Sequence, residues 1–211
     1  MKKLFIVFLL ALSIVLFCAC NQTGQYLIFG TFVEVDLTGA GSDDAAEGIE
    51  KVLTQIEDLM SVASDGSDVY RINEAEANES VKVSQMTMDV LLASYRAYEM
   101  TDGLFDVTVY PLVKLWKFSA DDFVGEADSL PSDADIEEAL LHVGFDKIIL
   151  DSENLTVTKT DSLTKIDLGG VAKGYALGKC YSLCSSLKGV INVGGNIAAV
   201  GKDLMIGGKN P

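Results

Sequence analysis

Histidine occurs once, at position 142, and cysteine only four times. Chemistry of the histidine-triad kind would have to run through His142 alone. No CxxC pair and no His/Cys cluster occurs, so nothing points to a zinc site. Positive charge is also scarce: 16 Lys and Arg face 31 Asp and Glu, for a formal net charge of −15. Phosphate backbones would repel such a chain, which argues against nucleic acid as a partner. An anionic small ligand would need a local device to overcome that field, such as a metal ion or a helix N-terminus. Internal repeats are absent, as is a regular alternation of strand and helix.

Of the 211 residues, 49% are hydrophobic, enough for one large or two small globular domains without disulfide staples. The first 19 residues read as a leader: Lys2 and Lys3 form a basic start, and Leu4 to Phe17 is an apolar run too short for a comfortable membrane span. Leu16-Phe17-Cys18-Ala19-Cys20 fits a bacterial lipoprotein signal ending at Cys20. The expectation is a signal peptide over 1–19, lipidation at Cys20, a linker over 20–25 and a domain from 26 to 211. A lipid at Cys20 would tether that domain to the outer face of the membrane. Cys180 and Cys184 lie four apart on a predicted helix and read as two small core residues.

Along the domain, Tyr26 to Leu37 reads as a strand broken at Gly30. Ser42 or Asp43 caps a helix reaching Met60, with Ile49, Val52, Leu53 and Ile56 at helical spacing. A loop follows over Ser61 to Asp68. Ser84 caps a second helix, stopped by Thr101-Asp102-Gly103, and Pro131-Ser132 opens a third over Ala134 to His142. Lys147 to Leu150 and Leu155 to Thr158 form a hairpin, and Leu163 to Leu168 a further strand. A helix from Gly170 to about Leu187 comes next, then short strands at 190–193, 197–200 and 204–206. The fold class is α+β, with a mixed sheet and packed helices. Asp121 to Asp135 reads as an acidic, solvated loop.

Three segments carry chemistry. In Asp167-Leu168-Gly169-Gly170-Val171-Ala172-Lys173-Gly174-Tyr175, a strand ends in an aspartate, paired glycines permit close approach, and a helix begins with a lysine in its first turn. Free N–H groups and the positive end of a helix dipole make such a turn suited to phosphate. It is not a Walker loop, because Tyr175 follows Gly174, and its adjacent glycines do not make the dinucleotide GxGxxG pattern. Asp102-Gly103-Leu104-Phe105-Asp106, followed by Tyr110, Pro111 and Trp116, could wall a flat ring. Asn192-Val193-Gly194-Gly195-Asn196 pairs glycines after a strand. Each alone is equally a tight turn or a core crossing.

Taken in order, these segments resemble the FAD:protein FMN transferase family, also called the ApbE family. The resemblance includes Gly30-Thr31, Met60-Ser61 with Arg71-Ile72-Asn73, Gly103 to Phe118, Asp167 to Ala176 and Asn192 to Gly195, and covers roughly 26 to 211. It implies a magnesium-dependent transfer of FMN from FAD to a threonine or serine hydroxyl of a partner flavoprotein, such as a respiratory or extracytoplasmic reductase subunit, with release of AMP. By the same resemblance Leu104, Phe105, Asp106, Asp167 and Lys173 contact FAD, and the Gly170 carbonyl contacts Mg²⁺. Phe29 occupies the place of the family's early flavin-site methionine, Ala63 that of a frequent tyrosine, and Asn196 that of an aspartate. The family's metal-binding aspartate and threonine lie in a C-terminal segment for which this sequence has no counterpart, so a missing C-terminal part, weak FAD binding at best and little or no transfer are expected. Alternatives are a non-catalytic FAD-binding lipoprotein, an FAD pyrophosphate hydrolase, or a solute-binding lipoprotein whose glycine turns are only structural.

Overall fold

The computed structural model describes residues 21–117 and 130–201. The leader, Cys20, Phe118, most of the acidic loop and the strand expected at 204–206 lie outside the described residues. In chain order the elements are β1 (Asn21–Ile28), β2 (Thr31–Thr38), α1 (Ser42–Met60), α2 (Asp68–Glu74), β3 (Ser80–Lys82), α3 (Gln85–Met100) and α4 (Tyr110–Leu115). They continue with α5 (Asp133–Leu140), β4 (Ile148–Asp151), β5 (Thr156–Lys159), α6 (Gly169–Ser182), β6 (Lys188–Val193) and β7 (Asn196–Val200). This is an α+β fold. The chain divides into two compact units, one holding residues up to Thr54 and from Ala176 onward, the other Gln55–Tyr175. No helix among the described residues is long and apolar enough to cross a membrane.

In the first unit the strands follow the order β1-β2-β6-β7, each pair antiparallel. Alternation along β2 buries Val33, Val35 and Leu37 and exposes Phe32, Glu34 and Asp36, so one sheet face meets the core. The residues expected as a linker, 21–25, instead pair with β2 from Asn21↔Thr38 to Gln25↔Glu34, because β2 offers a ladder of equal length. Phe29 and Gly30 close this hairpin with φ of 57° and 63°. That is the left-handed pair that a two-residue type I′ turn requires. Gly194 and Gly195 do the same between β6 and β7. The two turns are neighbours: the Gly194 N–H donates to the Phe32 carbonyl at 3.2 Å, and a Cβ on Gly194 would stand 2.6 Å from Thr31. Cys180 and Cys184 are free and buried, as read from the sequence, and burial pushes the Cys180 thiol up to about 12.

In the second unit a small antiparallel sheet runs β3-β5-β4. Ile72, Met88, Leu91, Phe145, Val157, Ile166 and Leu168 are buried. Phe145 lies against Tyr95 and Tyr98, with ring centroids 5.2 and 5.7 Å away. Asp68 joins α2 to α3: one carboxylate oxygen meets Arg71, and the other accepts from the Ser84 N–H and the Thr87 hydroxyl, both at 2.7 Å. Ser84 caps α3 as expected, and Ser132 caps α5 in a reciprocal capping box with Asp135.

Three expectations are corrected. Leu163–Leu168 is not a strand; among the described residues its only ladder contact is an isolated parallel bridge, Val109↔Lys165. A side chain, described below, supplies the hydrogen bonds a neighbouring strand would give. The helix after Gly169 ends at Ser182, short of Leu187, in turns closed by Leu183 and Cys184 N–H bonds to the carbonyls of Cys180 and Tyr181. The short elements α2, β3 and α4 were not anticipated; α4 starts with Pro111 in its first turn, where a missing N–H is harmless.

Candidate functional site

The site grows from two irregular segments stitched side by side. The Asp167 N–H donates to the Val107 carbonyl at 2.8 Å, and Lys165 makes an isolated parallel bridge to Val109. This brings the Leu104-Phe105-Asp106 loop against the turn that starts α6. The Phe105 ring lies over Gly170, where a Cβ would stand 3.6 Å from its edge, in ordinary contact. Leu104 is 92% exposed beside it. Thr101 fixes the loop to the end of α3 through its hydroxyl, which accepts the Phe105 N–H at 3.0 Å. Leu104, Phe105, Asp106, Asp167, Gly170 and Lys173 are therefore gathered in one region of the second unit. Phe29 belongs to the first unit, in the β1–β2 turn beside Gly194-Gly195.

Asp106 is committed to holding its loop. Its Oδ1 accepts from the Thr108 N–H at 2.8 Å and the Thr108 hydroxyl at 2.7 Å, and its Oδ2 accepts from the Phe145 N–H at 3.1 Å. Buried Thr108 in turn accepts the Gly144 N–H at 2.7 Å. Three bonds use most of the carboxylate's acceptor capacity, so its first effect is to anchor the Phe105 loop.

The α6 start is less open than its sequence suggests. The Gly169 N–H donates to Asp167 Oδ1 at 2.8 Å, and the Val171 N–H donates to the Leu168 carbonyl at 2.9 Å. Asp167 thus already places a negative charge at the positive end of the helix. The Gly170 N–H is left as the donor without a partner among the described residues, on an exposed glycine. Lys173, one turn on and on the same helix face, is half-buried and makes no ion pair or hydrogen bond among the described residues. One N–H, one uncommitted ammonium and a ring edge suit an anionic ligand that also carries an aromatic system. Tyr175 steadies the helix through a 3.0 Å bond from its hydroxyl to Asp89.

Magnesium fits these residues poorly. The ion wants about six oxygens in octahedral order. Gly170 contributes one carbonyl, and no group of three acidic, histidine or cysteine side chains gathers among the described residues.

Sequence reading missed Asn73 as part of this region, although it lies in the Arg71-Ile72-Asn73 stretch. Its buried amide donates to the Ile166 carbonyl at 2.9 Å and accepts the Ile166 N–H at 2.7 Å. Beneath it, the Lys159 side chain, 1% exposed, donates to the carbonyls of Asn73 and Ser162, each at 3.0 Å. Burial of this ammonium, with the Lys165 charge nearby, pushes it below the ordinary lysine range. A polar residue at the end of a short helix carries no sequence signal for such a contact.

The ApbE family profile matches residues 29–211. The FAD:protein FMN transferase of Haemophilus influenzae is 30% identical over 171 residues, 78% of this chain and 49% of that protein. The FAD:protein FMN transferase of Klebsiella pneumoniae is 31% identical over 169 residues, 79% of this chain and 52% of that protein. Among solved structures, the ApbE protein of Thermotoga maritima superposes with a TM-score of 0.76 at 32% identity, over 87% of this chain and 60% of that one. The flavin transferase ApbE of Vibrio cholerae, at 24% identity and a TM-score of 0.77, shares the fold. The chain spans about half the length of the curated relatives it matches.

Proposed function

The chain belongs to the ApbE family, and on that footing we propose that it is the FAD-binding portion of an FAD:protein FMN transferase. The observation that carries the reading is the Phe105 ring packed on Gly170 beside the uncommitted Lys173. The Gly170 N–H and Lys173 bind and orient the FAD diphosphate at the start of α6, and Phe105 and Leu104 wall the ring system. In the transfer, a threonine or serine hydroxyl of an acceptor flavoprotein attacks the FMN phosphorus. A new phosphate ester forms, the bond to AMP breaks, and the hydroxyl proton is lost. The share of this chain's residues is alignment of the diphosphate, which converts binding into rate.

Magnesium dependence comes to this reading from the family resemblance, and needs donors beyond the described residues. The lipid anchor at Cys20 and a place on the outer face of the membrane complete the proposal. Cys20→Ala is then expected to move the protein from the membrane fraction to the soluble one.

Titrating FAD into the chain, read by flavin fluorescence and calorimetry, is expected to give a saturable, salt-weakened signal; a flat titration overturns the reading. With magnesium and a threonine-bearing acceptor, covalent flavin fluorescence on the acceptor in a denaturing gel, with AMP released, identifies a transferase. FMN and AMP without a labelled acceptor identify a hydrolase instead.

A further inference from the structure

Asp167 and the two glycines reach their places through a segment that no strand ladder holds. The Leu163 and Thr164 N–H groups bond back to Asp161 and the Leu168 carbonyl accepts the first α6 N–H groups, so across the middle the backbone has one isolated bridge, at Lys165, and one bond from Asp167 to Val107. Between them, Ile166 is fully buried and so cannot turn to water for its backbone hydrogen bonds. The Asn73 side chain meets both needs, accepting the Ile166 N–H and donating to its carbonyl. A primary amide does this with the geometry of a facing peptide group. It therefore fixes the height and direction of the chain one residue before Asp167.

Asn73 is itself held from the other side. The buried Lys159 ammonium donates to the Asn73 backbone carbonyl, and the Glu74–Lys165 ion pair, at 2.9 Å, closes over the neighbouring residues. The series runs from Lys159 to Asn73, to Ile166, to Asp167, and through Asp167 Oδ1 to the Gly169 N–H.

We infer that Asn73 is the positioning residue of the α6 turn: its amide replaces a missing strand and sets where Asp167 holds Gly169, and so where the Gly170 N–H meets the diphosphate. The consequence for FAD rests on the function proposed above; the consequence for the turn does not. Asn73 touches no ligand in this account and acts only through Ile166.

The test compares Asn73→Ala and Asn73→Asp in the full chain by amide hydrogen exchange and FAD titration. Asn73→Ala removes both bonds, so protection at Ile166, Asp167 and Gly169 is expected to fall about tenfold or more relative to the β4–β5 amides of the same unit. Asn73→Asp keeps the acceptor for the Ile166 N–H and loses the donor to its carbonyl. Protection is then expected to return at Ile166 but not at Asp167 or Gly169, a split that a general loosening of the core would not produce. FAD affinity is expected to fall about tenfold in both variants. Wild-type protection at Asp167 and Gly169 in both variants, or a uniform fall across residues 55–175, overturns the inference. So does unchanged FAD affinity beside a local exchange change. If the unaltered chain binds no FAD while the exchange pattern is as expected, the positioning role holds and the functional reading falls.

Discussion

Replacing Gly170 by alanine separates the needs of the helix from those of the ligand. Gly170 is the second residue of α6, lies exposed, and has no left-handed φ, so an alanine fits its backbone. Its new Cβ would meet the Phe105 ring at 3.6 and 3.8 Å, ordinary contact that asks nothing to move. Glycine inside a helix is about 0.5–1 kcal/mol worse than alanine, so Gly170→Ala is expected to stabilise the fold by roughly that amount. In a chain of this size that raises the melting temperature by about 1–4 °C. The same methyl covers the Gly170 N–H approach. Losing one charge-assisted hydrogen bond costs about 1.5–3 kcal/mol, so FAD affinity is expected to fall roughly tenfold to a hundredfold. Thermal unfolding and FAD calorimetry on the same preparation read both numbers. A variant that is more stable and binds FAD as well as before refutes the placement of the diphosphate at this turn. A less stable variant refutes the reading of Gly170 as a sterically free position.

Lys173→Met removes an ammonium that bonds to no described residue; the melting temperature is expected to hold, with stability changed by less than about 0.5 kcal/mol, while FAD affinity drops and loses much of its salt dependence. Phe29 takes a positive φ of 57° in a two-residue turn, so Phe29→Gly is expected to raise stability by up to about 1 kcal/mol in denaturant unfolding; a loss would mean that contacts of the ring outweigh the backbone strain. Burial works to raise the Asp161 carboxyl, but the hydrogen bonds from His142 and the Leu163 N–H together outweigh it, and the group sits below the ordinary aspartate range. Its contribution to stability is complete above that range and disappears as pH falls through the lowered value; Asp161→Asn is expected to flatten the acid limb of urea midpoints plotted against pH, and an unchanged limb would refute the assignment.

Elements with a long apolar period were legible in the sequence. Ile49, Leu53 and Ile56 define α1 from spacing alone, and all three are fully buried. Ser84 and Gly103 bracket α3 through capping and a left-handed stop, because both act within a few residues. The α6 turn was legible for the same local reason. What escaped depends on distant partners. Leu163–Leu168 has strand composition, but an amide 93 residues away takes the ladder's place at Ile166. Asp106 is conspicuous as a residue, yet its bond to Phe145, 39 residues away, emerges only once the Gly144 turn comes beside it. The seven-residue α2 and six-residue α4 are too short to show a period; α2 has the Ser67 cap and four buried residues behind it, and α4 has Pro111 in its first turn.

The Asp167 carboxylate on the Gly169 N–H gives this turn a resident occupant. A lone inorganic anion arriving there meets a like charge already installed and has only the Gly170 N–H and Lys173 to hold. Entry therefore favours a guest that brings a second handle, a ring to rest against Phe105 while its phosphates engage Lys173 and Gly170. In this way a carboxylate that weakens attraction for any negative ion makes the turn choosy about which one stays.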